Sequence, residues 1–445
     1  MIVPSPRLIR LSAALLLSAG LAAALWPGAV YAVLAVVLLY ALFAAFDALL
    51  APRRLAAVTV TVPEVLRLSR GREGVLPLTL QRASGRGTGA GRLAITAPDS
   101  FSNAQEVLPF HWTEGAVVQK PTWVWTAADR GVYRVPAVHL EATSPFGLWH
   151  AREEVPVSLT VKVYPDVLGE RRHAPALFLN RGGAGLHPRR QVGKGREFEK
   201  LREYQPGDGY EDIHWKATAR RGHPVTKLFQ VERTQEVYVV IDHSRLSGRP
   251  VPGREDRLPQ LEHFLASGLA LGLAAERQGD HFGLITYSGK VETFVRAKTG
   301  KSHFTACREA LCGIETRRVN PDFAEICSFL RVRLRKRALL VWLTNLDDPM
   351  LAESFLEQMA LVRRHHLVLV NMVKGPDLQP LFSGAPPETE ADLHHRLAGH
   401  IEWRDLRELQ QRLRHQGVSL TLTEHARLTP SLVQQYVDVK QRQLL

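Results

Sequence analysis

Leu8 to Leu25 is apolar except for Arg10 and two serines, and Ala29 to Phe46 carries no charge before Asp47. Each run is close to the ~20 residues that carry a helix across a bilayer. Trp26-Pro27-Gly28 separates them, and Pro-Gly is a natural turn. One continuous helix would be far too long, so the expectation is a transmembrane helical hairpin over residues 1–55. A buried hairpin of a soluble protein would need a wet face, and these runs hold too few polar residues to make one. A cleaved signal peptide ending near Ala22-Ala23-Ala24 is the rival reading, and the second apolar run directly behind it argues against that. Arg7 and Arg10 precede the hairpin and Arg53 and Arg54 follow it. Positive flanks on both ends place both ends, and the bulk of the chain, on the cytoplasmic side.

Behind the hairpin the period changes. Val58, Val60 and Val62 alternate with polar residues, as do Leu76, Leu78 and Leu80, and later Val155, Val157, Leu159, Val161 and Val163. Short alternating runs divided by Gly- and Pro-containing breaks predict a small β-sandwich over residues 56–165, with a hairpin tip at Gly85–Gly91. Residues 166–235 then read as a basic, glycine-containing linker (Arg171, Arg172, Arg189, Arg190) followed by a dense charged and aromatic segment. A linker of that kind suits a surface of anionic headgroups.

From residue 236 to 445, strand-like and helix-like segments alternate. Glu236–Asp242, His281–Tyr287, Ala338–Thr344, Leu367–Val373 and Val418–Thr423 read as buried strands, with a short return strand at Val291–Val295. Helices are expected at Leu258–Gln278, Ser302–Gly313, Pro321–Val332, Met350–Arg364, Trp403–Gln416 and Pro430–Gln443, and Pro376–Ala391 reads as an insertion. This alternation predicts an α/β doubly wound, Rossmann-like domain with ligands at the carboxyl ends of its strands. Asp242–Ser247 and Thr344–Asp348 fall on that edge.

The segment from Gly193 to Arg220 concentrates unusual residues: Gly195-Arg196-Glu197-Phe198, Leu201-Arg202-Glu203-Tyr204, Pro206-Gly207-Asp208, Ile213-His214-Trp215 and Ala219-Arg220. Gln205-Pro206-Gly207-Asp208 fits a type II turn. Trp215, flanked by Asp212, His214 and Lys216, reads as an aromatic anchor pressed into a neighbouring domain. These spaced elements resemble the signature of domain-of-unknown-function family fifty-eight (DUF58). Asp129-Arg130-Gly131-Val132-Tyr133 and Ser144-Pro145-Phe146-Gly147-Leu148-Trp149 extend the resemblance. The resemblance implies a von Willebrand factor A-like domain after the signature. It also implies a place in the bacterial inner membrane and association with a MoxR-type AAA+ ATPase, whose genes commonly neighbour the family's. The function expected on that basis is that of a membrane-anchored, non-enzymatic scaffold serving the assembly or maturation of envelope protein complexes. Glu197, Arg202, Tyr204, Asp208, Trp215 and Arg220 are the expected binding residues. The alternative reading of the same segment is a charged network that only joins domains.

Von Willebrand A domains often hold a divalent ion through Asp-x-Ser-x-Ser, a Thr and a later Asp, all hard oxygen ligands. Here Asp242 and Ser244 keep the first two positions, Leu246 takes the third, and Asn345 stands where the acid is expected after Thr344. The set is degenerate, so no cofactor is expected and Mg2+ is the weak alternative. With it go the alternatives of a metal-dependent receptor and of an uncharacterised hydrolase at the strand-end edge. The other reading of Asp242 and Ser244 is that they accept backbone hydrogen bonds and cap the following segment.

Thr299-Gly300-Lys301-Ser302 mimics the end of a phosphate-binding loop, but Val295 stands where its first glycine belongs. Helix capping by Ser302 is the better role. The net charge of +13 fits anionic lipid or an acidic partner. No nucleic-acid-binding motif accompanies it, and neither nucleic acid nor a small-molecule substrate is expected. Cys307, Cys312 and Cys327 are odd in number and lack metal spacing, which suits buried thiols in a reducing compartment.

Overall fold

The structure is a computed structural model. It describes residues 1–26, 28, 30–56, 58–83, 89–96, 98, 100–103, 106–167, 169, 192–206, 208–230, 235–251, 258–375, 378–383, 389–442 and 444. Most of the basic linker, including Arg171, Arg172, Arg189 and Arg190, lies outside the described residues. So do Gly85 of the expected hairpin tip and Gly207 of the expected turn. The chain divides into two compact units, Met1–Asp166 and Val167–Leu445.

The first unit opens with a short strand β1 (Ile2–Pro4), then helices α1 (Pro6–Leu25) and α2 (Val30–Leu50). Ser5 caps α1 by accepting the Leu8 N–H, and Pro6 occupies its first turn. Both helices are long and apolar enough to cross a membrane. Leu16, Leu17, Leu21, Leu38, Leu39 and Leu42 are each at least 60% exposed, so the helices do not serve as the core of this unit.

The core lies among sheets. Strands β2 (Val58–Thr61), β3 (Val65–Ser69), β4 (Glu73–Pro77), β5 (Thr79–Arg82), β6 (Gly89–Ile95), β7 (Phe101–Asn103), β8 (Val107–Trp112), β9 (Val118–Gln119), β10 (Thr122–Ala127), β11 (Gly131–Thr143) and β12 (Trp149–Tyr164) follow in order. They form one six-stranded sheet, β1-β12-β11-β6-β8 with β3 against β12, and two three-stranded sheets, β4-β10-β7 and β2-β5-β9. The alternating residues point as their period requires. Leu76, Leu78, Leu80, Leu159, Val161 and Val163 are buried in one cluster with Trp123 and Trp125. Burying each leucine stabilises by about 1.5–3 kcal/mol.

β1 was not legible in advance. It pairs antiparallel with β12, Ile2 opposite Ala151 and Pro4 opposite Trp149. The Ser144–Trp149 segment folds around the carboxylate of Asp47, near the end of α2. Asp47 is fully buried. It accepts from the Ser144 hydroxyl at 2.6 Å and from the Leu148 and Phe146 N–H groups at 3.1 and 3.2 Å. The Trp149 indole N–H donates to the Ala44 carbonyl at 2.8 Å. The helical hairpin is therefore tied to the sheets by buried polar contacts.

In the second unit, β13 (Val192–Glu203) and β14 (Val225–Gln230) form an antiparallel ribbon that encloses a short helix α3 (Trp215–Arg221). A six-stranded sheet follows, built from β15 (Glu236–Asp242), β16 (His281–Tyr287), β17 (Val291–Lys298), β18 (Leu339–Leu343), β19 (Leu367–Val373) and β20 (Ser419–Thr423) in the order β17-β16-β15-β18-β19-β20. All neighbours are parallel except the β16–β17 edge pair.

Helices α4 (Gln260–Arg277), α5 (Lys301–Cys312), α6 (Phe323–Arg333), α7 (Pro349–Val362) and α8 (Glu390–His415) connect the strands, and α9 (Leu428–Gln441) follows β20. Strand β15 is apolar from Val237 to Ile241, as a strand covered on both faces has to be. Val237, Val239 and Ile241 pack with Phe264, Leu311 and Tyr436 on one face. Tyr238 and Val240 pack with Ile326, Phe355 and Leu409 on the other.

Two expectations need correction. Ser302 does not cap α5. The helix begins at Lys301 behind Gly300, whose φ of +104° places it in a region glycine favours. Helix α8 begins at Glu390, not Trp403, through a capping box of Thr389 and Asp392. The expected insertion ends at Ala391 and no element is expected over residues 392–402, although Leu393, Leu397 and Ile401 recur at helical spacing; in the structure all three are exposed.

Candidate functional site

The strand order reverses between β15 and β18. In an open α/β sheet, the crevice at such a reversal, beyond the carboxyl ends of the strands, is where ligands bind. Asp242 ends β15 and Thr344 follows β18, so the sequence-expected residues do converge. Their side chains, however, are turned to one another. Asp242 Oδ1 accepts the Ser244 N–H at 2.8 Å and Oδ2 accepts the Thr344 hydroxyl at 2.7 Å. Ser247, one residue late for a metal ligand, donates its hydroxyl to the Asp242 carbonyl at 2.6 Å. Ser244 Oγ accepts the Leu246 N–H at 3.3 Å. The Asn345 amide donates to Gln260 Oε1 at 3.2 Å, away from Asp242. Asp242, Ser244 and Thr344 are fully buried.

Burial pushes the Asp242 carboxyl from 3.8 up to about 6, against hydrogen bonds from Ser244 and Thr344 that act the other way. The two carboxylates beyond β18 are engaged elsewhere. Asp348 caps α7 and meets Arg245 at 3.1 Å, and Asp347 meets Arg249. A divalent ion would find one buried carboxylate and hydroxyls already used, with arginines on the other acids. The donor set does not fit it. Among the described residues, no cluster of three or more His, Cys, Asp or Glu side chains is placed to hold a metal.

A second polar group sits beside this edge. Ser288 donates to Glu292 at 3.2 Å, and Glu292 is ion-paired with Arg317 at 3.3 Å. His243 lies 3.9 Å from Glu292 through Nε2, while its Nδ1 contacts the Glu315 carbonyl at 3.0 Å. Burial lowers the His243 pKa. A hydrolytic triad places the imidazole between hydroxyl and acid. Here the acid touches the hydroxyl and the imidazole stands behind it, which is the wrong order. The three thiols are buried, and burial pushes those of Cys307 and Cys327 up to about 12, so they are poor nucleophiles.

The ribbon carries the other sequence-expected residues. The Arg202 guanidinium donates to Asp208 and to Gln205, each at 2.6 Å, and Asp208 also accepts the Gln205 N–H at 3.0 Å. The backbone hydrogen bond from Gln205, with Arg202 behind it, lowers the Asp208 pKa. The Tyr204 and Tyr210 rings lie 6.2 Å apart. His214 Nδ1 caps α3 by accepting the Ala217 N–H at 3.0 Å. Gly222, at φ +72°, ends the helix.

Trp215 was expected as a buried anchor and is not one. It is 68% exposed, and Tyr210 is 78% exposed. The packing is done instead by Ile213 and Val225, which are buried, while the tryptophan opens a helix whose other side faces the ribbon. Arg220 is also exposed. Glu197 is placed on β13 opposite Gln230, and its side chain lies outside the described residues.

The profile of the family described as "Protein of unknown function DUF58" matches residues 200–384, a span that holds Asp208, Trp215, Asp242 and Thr344. Two uncharacterized mycobacterial proteins, Rv1480 of Mycobacterium tuberculosis and Mb1516 of Mycobacterium bovis, are each 24% identical over 190 residues. That is 42% of this chain and 58% of theirs, so the match spans little more than half the length of these curated relatives. Among solved structures, proximal thread matrix protein 1 from the mussel byssus aligns with a TM-score of 0.26 at 9% identity, over 46% of this chain and 45% of that one. A protein of unknown function from Porphyromonas gingivalis W83 aligns with a TM-score of 0.18 at 16% identity, over 24% and 48%. The chain is thus similar to DUF58 proteins through its ribbon and the α/β sheet as far as β19, and that description assigns no activity.

Proposed function

We propose that the chain is a membrane-anchored interaction protein. In this reading its α/β unit is a doubly wound, von Willebrand factor A-like scaffold that receives a MoxR-type AAA+ ATPase at the signature ribbon. The observation that carries the reading is the exposure of Tyr210 and Trp215 on a ribbon insert braced by Arg202 and Asp208. Large aromatics held on a rigid surface are the residues that supply binding energy at protein interfaces. The exposed apolar sides of α1 and α2 and the arginines flanking them support a bilayer anchor in the inner membrane, with both ends cytoplasmic. The engagement of the switch-point side chains with one another favours a scaffold over a metal-dependent receptor or a hydrolase.

The test is co-elution of the detergent-solubilised chain with a MoxR-type ATPase. Trp215→Ala is expected to reduce capture by about tenfold or more, as removal of an interface aromatic does, while the melting temperature stays within a degree or so, as for other surface changes. Capture that is unchanged in both Trp215→Ala and Tyr210→Ala would remove the support for this reading. Topology is checked separately: a cysteine introduced at Ser69 should resist impermeant labelling of intact cells, and efficient labelling would overturn the orientation.

A further inference from the structure

The two edges of the α/β sheet are finished differently. Edge strand β17 carries Glu292, Arg296 and Lys298, and its pairing with β16 is broken by two register shifts. Charges and bulges are how proteins keep an edge from recruiting another strand. The opposite edge, β20, reads Ser-Leu-Thr-Leu-Thr, has no charge, and pairs with β19 over five residues in unbroken register. The Lys374 N–H donates to the Thr423 carbonyl at 2.7 Å, so Thr423 faces β19. Alternation along a strand then turns the backbone groups of Leu420 and Leu422 to the open side. The Gln410 side-chain amide donates to the Leu420 carbonyl there at 2.8 Å. Among the described residues, no strand pairs with this side.

A groove of about 810 Å³ runs between β20 and α8. Lys374, Arg407 and Arg414 line it with Trp403 and Gln410, and among the described residues the lining holds three cations and no carboxylate. The Arg407 guanidinium lies over the Trp403 ring at 5.5 Å and donates to Gln410 at 2.9 Å, which holds it along the groove.

We propose that this groove docks an extended acidic peptide segment of a partner protein, added as a further strand on β20, with carboxylates at alternate positions against Arg407, Arg414 and Lys374. Main-chain hydrogen bonds to Leu422 and to the Leu420 N–H would hold such a strand, with Gln410 swinging off the Leu420 carbonyl to free it, and the period-two side chains would select it. This surface is separate from the ribbon, so the inference stands or falls independently of the ATPase reading.

The probe is a short labelled peptide of alternating glutamate and valine, titrated against the full chain in detergent micelles. Binding is expected, with slowed amide hydrogen exchange at Leu420 and Leu422. The same peptide N-methylated at alternate backbone nitrogens should not bind. The double change Arg407→Glu and Arg414→Glu should weaken binding by roughly tenfold or more with the melting temperature unchanged, since exposed charges add little to stability. Should that pair disturb folding, Lys374→Glu serves as the second variant and should weaken binding too.

The proposal is overturned if the N-methylated peptide binds as well as its parent, if a folded charge variant binds it equally, or if exchange at β20 does not change. It is equally overturned if the groove serves another occupant. That would show as sedimentation with phosphatidylserine vesicles, or self-association of the chain, that the charge variants abolish while the peptide shows no binding.

Discussion

Two aspartates, one in each unit, end up in nearly the same chemical setting and serve different ends. Asp47 and Asp242 are both fully buried, and each accepts a hydroxyl and at least one backbone N–H. Their donors differ in distance along the chain. Those of Asp47 come from Ser144 to Leu148, about a hundred residues on, so one carboxylate fastens a helix to a loop that could otherwise leave it. Asp242 takes its N–H from Ser244, two residues away, and only its hydroxyl from a distant element, Thr344. Asp47 therefore joins separate parts, whereas Asp242 shapes its own turn and ties it to one neighbouring strand. A buried carboxylate is costly unless its oxygens are satisfied, and here the same cost supports a joint in one unit and closes a sheet edge in the other.

The largest effect is expected at Asp47. Asp47→Ala strands the Ser144 hydroxyl and the Phe146 and Leu148 N–H groups, and each buried donor left without its acceptor costs about 1–3 kcal/mol. The expected outcome is a much lower melting temperature for the first unit in detergent, with Asp47→Asn intermediate because the amide keeps one acceptor. Unchanged melting in Asp47→Ala would show that the hairpin is held by something other than this joint.

Asp242 sharpens the contrast through pH. Its folded pKa, raised from 3.8 to about 6, means that the native state binds the proton more tightly than the unfolded chain. The resulting stability is fully present below about pH 4 and is lost as pH rises through about 6. A shift of about two units corresponds to about 3 kcal/mol. Asp242→Asn does not titrate, so the stability difference between wild type and this variant should shrink by about that amount from pH 4 to 7. A pH-independent difference would place the Asp242 carboxyl in an ordinary environment. Thr344→Val should cost about 1–3 kcal/mol by leaving Oδ2 without its donor. It should also move the titration upward, because the lost hydrogen bond favours the charged form.

The legibility of these two residues in the sequence was unequal for a physical reason. Asp242 closes an apolar strand and begins Asp-x-Ser, a local pattern, so its place on the carboxyl edge of the sheet could be read directly. The strands beside it were readable on the same grounds, since a run buried on both faces has to be continuously apolar. Asp47 reads locally only as the first charge after an apolar helix. Its meaning depends on Ser144–Trp149, which the sequence marks as unusual without saying what it touches. Trp215 failed in the opposite sense. Its bulk suggested burial, yet Ile213 and Val225 take the inner positions of the ribbon. Strand β1 shows no period because it has only three residues, and the start of α8 holds only three widely spaced large apolar residues, Leu393, Leu397 and Ile401, among charges and histidines behind a Pro-rich stretch.

The smallest expected effect tests whether Asp242 is a metal ligand at all. A native-state ligand at a hundred times its dissociation constant adds about 2.7 kcal/mol, a shift that thermal unfolding resolves easily. Magnesium should give no saturable shift here. The one carboxylate at the position is enclosed by Ser244 and Thr344, and Asp347 and Asp348 face Arg249 and Arg245. Asp47 supplies the control, because its oxygens are enclosed by a loop with three donors and any general salt effect would act on both units alike. Melting curves of wild type, Asp242→Ala and Asp47→Asn in magnesium and in potassium chloride of matched ionic strength separate the cases. A saturable magnesium shift present in wild type and Asp47→Asn but lost in Asp242→Ala would show that Ser244 and Thr344 open to an ion. The two aspartates would then differ in chemistry as well as in reach along the chain.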